Sequence, residues 1–330
     1  MKVILLILSL LISPFTWSQE MTPTIDGTLY RGPQGEEIPA EVAVVTKEKK
    51  VDKKKKDKNG NDIDKDVTNP RLRAVSGSKS KWSMTFGLTY NGGALNNPFG
   101  LKRPDIYGNP ENETLTSFGG SISGRYRLNK KNSFTLGFGF GYLAPFRDDG
   151  DSNRDQLNVS NPGVGYNRVE KLGMFQLVSS LDYVFGTSVV FKEQNLQGFL
   201  SLGITVLTNF NESRFNLGLA FSYTPFFYKD DPVPFDTRTT YSIGFYPFFE
   251  FEFTKVWYFR TVLGFLNYEH VRSDIDGSPF SMTTAPHYIS VGIGIAITRD
   301  IYLYPNVQFL PKDFSVDNTN FAFTATINVL

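Results

Sequence analysis

The sequence predicts an all-β chain built around one antiparallel transmembrane β-barrel of about twelve strands, and three patterns predict it. Large apolar and small polar residues alternate, stretch after stretch, from Lys81 to the carboxyl end. Short and long connections take turns between those stretches. Many of the stretches finish on Tyr, Trp or Phe, as a girdle at a membrane interface requires.

From the amino terminus, Lys2 is followed by an apolar run, Val3 to Ile12, then Ser13, Pro14 and the pair Thr16 and Ser18. This pattern predicts a signal peptide over residues 1–18, cleaved before Gln19 and too short to span a bilayer. Residues 19–80 lack periodicity, and Lys47 to Asp66 is mostly Lys and Asp, including the run Lys53 to Lys56. So little apolar surface cannot offset ordering entropy, which predicts a disordered, Lys-rich periplasmic arm. A sharper reading gives its lysines an anionic periplasmic partner, or folds the segment back into a lumen as a plug. Asp57 to Asn61 opens like a calcium loop, but Asp62 replaces the turn glycine and Thr68 the bidentate Glu, so the motif is rejected.

The barrel occupies residues 81–330. Trp82, Met84, Phe86, Leu88 and Tyr90 alternate with Ser83, Thr85, Gly87 and Thr89. Phe118, Ile122 and Tyr126 alternate with Ser121, Ser123, Arg125 and Arg127, and Phe134 to Tyr142 set five large residues against Ser133, Thr135 and three glycines. Later stretches repeat the scheme at Leu217 to Tyr223, Ile289 to Ile297 and, as the closing strand, Phe321 to Val329. Successive side chains of a strand point to opposite faces, so one face is greasy and the other small and nearly uncharged. A soluble sheet would cover its outer face with Lys, Glu and Gln. Here the large side points to lipid and the small side to a lumen.

Short links fall at 129–131, near Gly186, at 211–213, 254–256 and 299–301, and long ones at 92–115, 144–169, 229–239, 272–286 and 312–318. The count of about twelve requires three strands between Phe175 and Thr208, one of them short, at Thr187 to Lys192. An even number leaves both termini in the periplasm.

Composition excludes several functions. The net charge of +1 offers nothing to a nucleic acid, and without cysteine there is no disulfide framework, thiolate zinc site or lipid-anchor acceptor. No stretch approaches the length of a membrane helix, so a spanning chain must close as a barrel, in the outer membrane of a Gram-negative bacterium. Over residues 81–330 and the signal peptide the chain resembles bacterial outer-membrane β-barrel proteins as a class. The resemblance implies a place among outer-membrane lipid and lipopolysaccharide, and insertion by the barrel-assembly machinery guided by the last strand. That class commonly ends on Phe, whereas here the apolar phase ends on Val329.

Inward phases carry the candidate site. Arg125, Arg127, Asp182, Glu250, Glu252 and Arg260 are expected to line the lumen, and a turn at 254–256 sets Glu250 opposite Arg260 and Phe253 beside Trp257. Mixed charge can line a selective pore or brace a closed lumen; the many inward Gly, Ser, Thr and Ala favour an open or partly open interior. Neither His270 nor His287 stands two residues from a serine on one strand face, as outer-membrane lipases require, and only Glu269 and Asp274 flank His270, so no enzyme is expected. Asp148, Asp149, Asp151 and Asp155, and Asp230 with Asp231, match no calcium loop and are expected to be solvated. No cofactor or metal is expected. The expected function is passage of small hydrophilic solutes, with a non-conducting, adhesive or complex-forming barrel as the alternative and a lipid-active enzyme behind both.

Overall fold

The computed structural model describes residues 63–106, 113–146, 157–209, 213–231, 236, 238–264, 266–272, 282–284 and 287–329. The signal peptide, the lysine run and the acidic residues Asp148 to Asp155 lie outside them. In chain order come a 3-10 turn (Ile63–Lys65), helix α1 (Pro70–Val75), β1 (Trp82–Ala94), β2 (Lys102–Pro104), β3 (Glu113–Leu115), β4 (Ser117–Arg127), β5 (Asn132–Leu143), β6 (Leu157–Leu172) and β7 (Phe175–Phe185). Helix α2 (Val189–Glu193) precedes β8 (Leu196–Asn209), β9 (Phe215–Tyr228), β10 (Thr239–Glu252), β11 (Trp257–Gly264), β12 (Leu266–Val271), β13 (Thr283–Thr284), β14 (Tyr288–Ala296), β15 (Ile301–Phe309) and β16 (Asn320–Val329).

The sheet closes on itself. Each wall strand pairs antiparallel with its neighbours in sequence, β10 pairs with both β11 and β12, and β16 returns to β1. Since β11 and β12 are two pieces of one wall strand and β13 is a short spur, the wall is a twelve-stranded barrel. Closure leaves no unpaired edge, which a sheet in hydrocarbon cannot tolerate.

Side chains sort as the alternation demands. Phe134, Leu136 and Phe138 project outward, with Leu136 64% exposed, and Trp82, Phe215, Leu217, Trp257 and Ile297 join them in an exposed apolar belt. Ser83, Arg125, Asn216, Glu250 and Asn328, on the opposite phases, are buried. A monomer in water does not leave such a surface uncovered, so the barrel spans a bilayer. Replacing Leu136 by Arg near mid-height of β5 is expected to cost roughly 2–4 kcal/mol in lipid-vesicle unfolding. An unchanged midpoint would put that face out of the hydrocarbon.

Two expectations need correction. The interval from Phe175 to Thr208 holds two strands, β7 and β8, and Val189–Glu193 is helical. The missing strand is β6, inside what the sequence presents as one long loop. Its lipid side starts with Leu157 and Val159 and resumes at Val164 and Tyr166, because a bulge between Gly137 and Gly139 of the partner strand shifts the register. Asn161 sits there at a φ of 57°. The bulge reverses parity, so the alternation is broken in the middle of one strand.

The second correction concerns the arm. Residues 63–80 are ordered, with Ile63, Val67 and Leu72 fully buried. They form the end of the segment expected to be disordered.

The inward glycines do not leave the space that small residues suggest. Tyr302 of β15 lies over Gly294 of β14, and Tyr288 of β14 over Gly264 of β11, so closely that a Cβ at either glycine would overlap the ring. Aromatic rings covering cross-strand glycines stiffen a curved wall and fill its concave side.

Candidate functional site

The site is the short-turn end of the lumen, where residues 63–80 cross it. Asn69 and Pro70 start α1: the Asn69 Oδ1 accepts from the Leu72 amide at 3.1 Å, and Pro70 occupies the first helical position, where a missing N–H costs nothing. The helix is only six residues long, too short to be stable by itself, so its docking must hold it.

Docking runs around the whole wall. Ile63, Val67 and Leu72 pack on Val169 of β6, Val178 of β7, Leu207 of β8 and Phe248 of β10. Ala74 faces the other way, into Tyr258 of β11, Ala296 of β14, and Tyr302 and Tyr304 of β15. Gln176 of β7 accepts from the Thr68 and Asn69 amides at 2.8 and 3.1 Å and donates to the Thr68 hydroxyl at 2.9 Å. Asn328 of β16 donates to the Ala74 carbonyl at 2.8 Å. Arg299, in the β14–β15 turn, donates to Asp64 at 2.9 Å and to the Gly77 carbonyl at 2.8 Å. A segment touching inward side chains on opposite walls obstructs the lumen between them.

Five of the six residues expected to line the pore are occupied by this segment or by the cavity beside it. Arg125 donates to the carbonyls of Ser76 at 2.6 Å and Val75 at 3.2 Å; Arg127 donates to Ser76 at 3.0 Å and Ser78 at 2.6 Å. Gly77 turns the chain against the Arg125 guanidinium with a φ of 78°, where no side chain would fit. Glu250 and Arg260 are register partners as expected, 3.4 Å apart, but Glu250 is shared: Arg71 of α1 donates to it at 3.0 Å and Asn69 at 2.7 Å. Phe248 takes Arg71 and Arg260 against its ring at 4.7 and 5.4 Å from the centroid. Glu252 lines a cavity of about 240 Å³ between α1 and the wall, with Thr68, Asn69, Arg73, Asn216, Lys255 and Tyr258. Asp182 makes no contact with the segment; it lies against Gly165 of β6, near enough to Arg125 for the two charges to interact.

Sequence reasoning missed Asn69, Arg71, Gln176, Asn328 and Arg299. One signal was present for the first two, the Asn-Pro pair that marks a helix start. The other three are ordinary polar residues until their partner, 107 to 254 positions away in the chain, is placed beside them.

The long-loop end is braced differently. Phe191 of α2 packs on Val184, Leu196 and Phe199. Asn161, at the β6 bulge, accepts from the Thr187 and Ser188 amides at 3.1 Å, fixing the approach to α2. Arg238 and Arg272 both stack on Tyr228, at 5.0 and 4.6 Å, and share Asp230 and Asp236. Asp230 is therefore engaged rather than a solvated loop acid. The bond from Arg238 holds the Asp230 carboxyl below its ordinary range. Burial works to raise the Asp236 carboxyl, and bonds from Arg238 outweigh it, leaving this group lowered too. Both carboxylates thus stabilise the brace above the unfolded carboxylate value near 3.9, and that contribution is lost as pH falls through their lower folded values. We expect tryptic cleavage after Arg238 to rise below about pH 3.9 in an acid-pulse experiment, and Asp236→Asn to show it already at neutral pH. Equal protection of both proteins at every pH would refute the brace.

His270 stacks flat on Tyr241, ring centroids 4.9 Å apart, and Ser290 hydrogen-bonds Tyr304 and Asn306.

No protein-family model matches the chain, and no curated protein matches it either. Among solved structures it is similar to an outer membrane channel from Pseudomonas putida F1, at 12% identity over 77% of this chain and 97% of that one, with a TM-score of 0.48. It is also similar to the NanC porin, at 9% identity, 75% and 98% coverage and a TM-score of 0.40. The translocator domain of the autotransporter NalP from Neisseria meningitidis gives 9% identity, 81% and 96% coverage and a TM-score of 0.38.

Proposed function

We propose that this barrel sits in a bacterial outer membrane and passes small hydrophilic solutes through a lumen narrowed by residues 63–80. The observation that carries the reading is the polar cavity between α1 and strands β9 to β11, lined by Arg73, Asn216, Glu252 and Lys255. The obstruction is a short segment with a gap lined by polar side chains beside it. Above it the inward phases of β4 and β5 carry Ser121, Ser123, Thr135 and glycines, which a hydrated solute can pass. In this reading the short turns face the periplasm, the long loops face outward among lipopolysaccharide, and the barrel-assembly machinery inserts the chain. The lysine-rich stretch before residue 63 stays available to an anionic periplasmic partner. No catalytic step is assigned.

One observation favours a second reading, a non-conducting scaffold: the contacts to residues 63–80 come from nearly every side of the wall. Planar-bilayer recording separates the two. Discrete steps from purified full-length protein support the channel, and a silent bilayer at high protein load overturns it in favour of the scaffold.

A further inference from the structure

We propose that the narrow part of the lumen selects anions, so that the solutes it passes best are small and negatively charged; this rests on the channel reading above. The inward charges are mixed in sign, and what decides selectivity is which of them are neutralised by contact.

Arg125 and Arg127 are 6% and 4% exposed. All their side-chain hydrogen bonds go to the backbone carbonyls of Val75, Ser76, Gly77 and Ser78. Neither forms an ion pair among the described residues. A carbonyl satisfies a guanidinium's donors but leaves its full charge, and arginine stays protonated at any working pH. The walls from β4 to β8 carry a single inward carboxylate among the described residues, Asp182, against these two cations.

The same imbalance recurs across the lumen. Arg71 and Arg260 share one carboxylate, Glu250. At the cavity, Arg73 and Lys255 stand against Glu252, and Asp64, 3.9 Å from Arg73, is itself held by Lys79 and Arg299. Asp64, Asp66 and Asp300, further carboxylates of this end, are each paired with Lys79, Lys130 or Arg299, so they do not offset Arg125 and Arg127 by contact. Charges in a narrow passage with low-dielectric walls are poorly screened and focus their field along it, so the excess raises the local concentration of anions and lowers that of cations.

The experiment is the reversal potential of the full-length protein in a planar bilayer under a potassium chloride gradient, with chloride as the probe anion. Wild type is expected to favour chloride over potassium. Arg125→Gln with Arg127→Gln, which keeps side-chain N–H donors toward the carbonyls, should reduce the chloride-to-potassium permeability ratio several-fold. Asp182→Asn should move it the other way, and it tests the inference even where the double variant fails to fold. Open-channel steps with a potassium preference, or a ratio that Asp182→Asn leaves unchanged, would overturn anion selection while leaving the channel intact. A bilayer with no steps would overturn the channel reading and this inference with it.

Discussion

If the barrel conducts as proposed, barrels lacking residues 63–80 are expected to carry several times more current per open event than the full-length chain, and to pass larger neutral sugars into liposomes. The expectation follows from where the segment's contacts lie. Inward residues of β4, β6, β7, β8, β10, β15 and β16 all touch it, which is possible only if it crosses the lumen. The wall does not depend on it for closure, since every strand of the barrel has both neighbours and β16 pairs with β1 over Met84 to Ala94. Removing the segment therefore enlarges the passage while the hydrogen-bonded wall stays closed. It also exposes Val169, Val178, Leu207 and Phe248 to water, so the shortened barrel should unfold at a lower temperature than wild type. Unchanged conductance with intact folding would mean that the segment is not what narrows the lumen.

The wall was legible in the sequence, whereas the segment could be offered as a plug only as the alternative to a disordered arm, for reasons of range. A strand advertises itself by local alternation, and in β5 the pattern Phe134, Leu136, Phe138 against Thr135 and Gly137 needs no knowledge of the rest of the chain. Turn length then fixes register, which is why Glu250 could be set opposite Arg260. Alternation fails where a bulge reverses parity, and β6 was lost at Asn161 for that cause. Residues 63–80 carry five aliphatic side chains, Ile63, Val67, Leu72, Ala74 and Val75, scattered among charged and polar residues. Apart from the helix start at Asn69 and Pro70, nothing local distinguishes them from a solvated tail; only the wall supplies the surface on which Ile63, Val67, Leu72 and Ala74 are buried. The alternation puts Arg125, Arg127 and Glu250 on one phase of their strands but does not announce that they hold the segment. The inward rings of Tyr246, Phe248 and Tyr302 share the phases that also carry Glu250 and Asn306, and the same alternation reads them out once glycine is seen as their seat rather than as vacant space.

Replacing Glu250 by Gln should release the segment more completely than any other single change in the wall. Glu250 is 2% exposed and is the one acceptor that meets Arg71 of α1, Arg260 of β11 and the amide of Asn69 together. Two guanidinium groups confined with one carboxylate are tolerable only while that carboxylate is charged. Breaking a buried pair from one side leaves an uncompensated charge and costs about 3–5 kcal/mol. The barrel strands cannot retreat to relieve this, but α1 can, because Arg71 reaches water by undocking. The cost therefore falls on the segment. Tryptic cleavage after Arg71 and Arg73 in the folded barrel reads it directly, with wild type protected and Glu250→Gln cut. Glu252→Gln, a carboxylate that lines the cavity without holding α1, is the control and should remain protected. Combining Glu250→Gln with Arg71→Gln removes both charges of the latch, so its loss should fall short of the sum of the two single changes by roughly 0.5–3 kcal/mol, the range for directly contacting residues. Strict additivity, or a Glu250→Gln barrel as resistant to trypsin as wild type, would mean that the apolar contacts of Ile63, Val67 and Leu72 hold the segment without the ion pair.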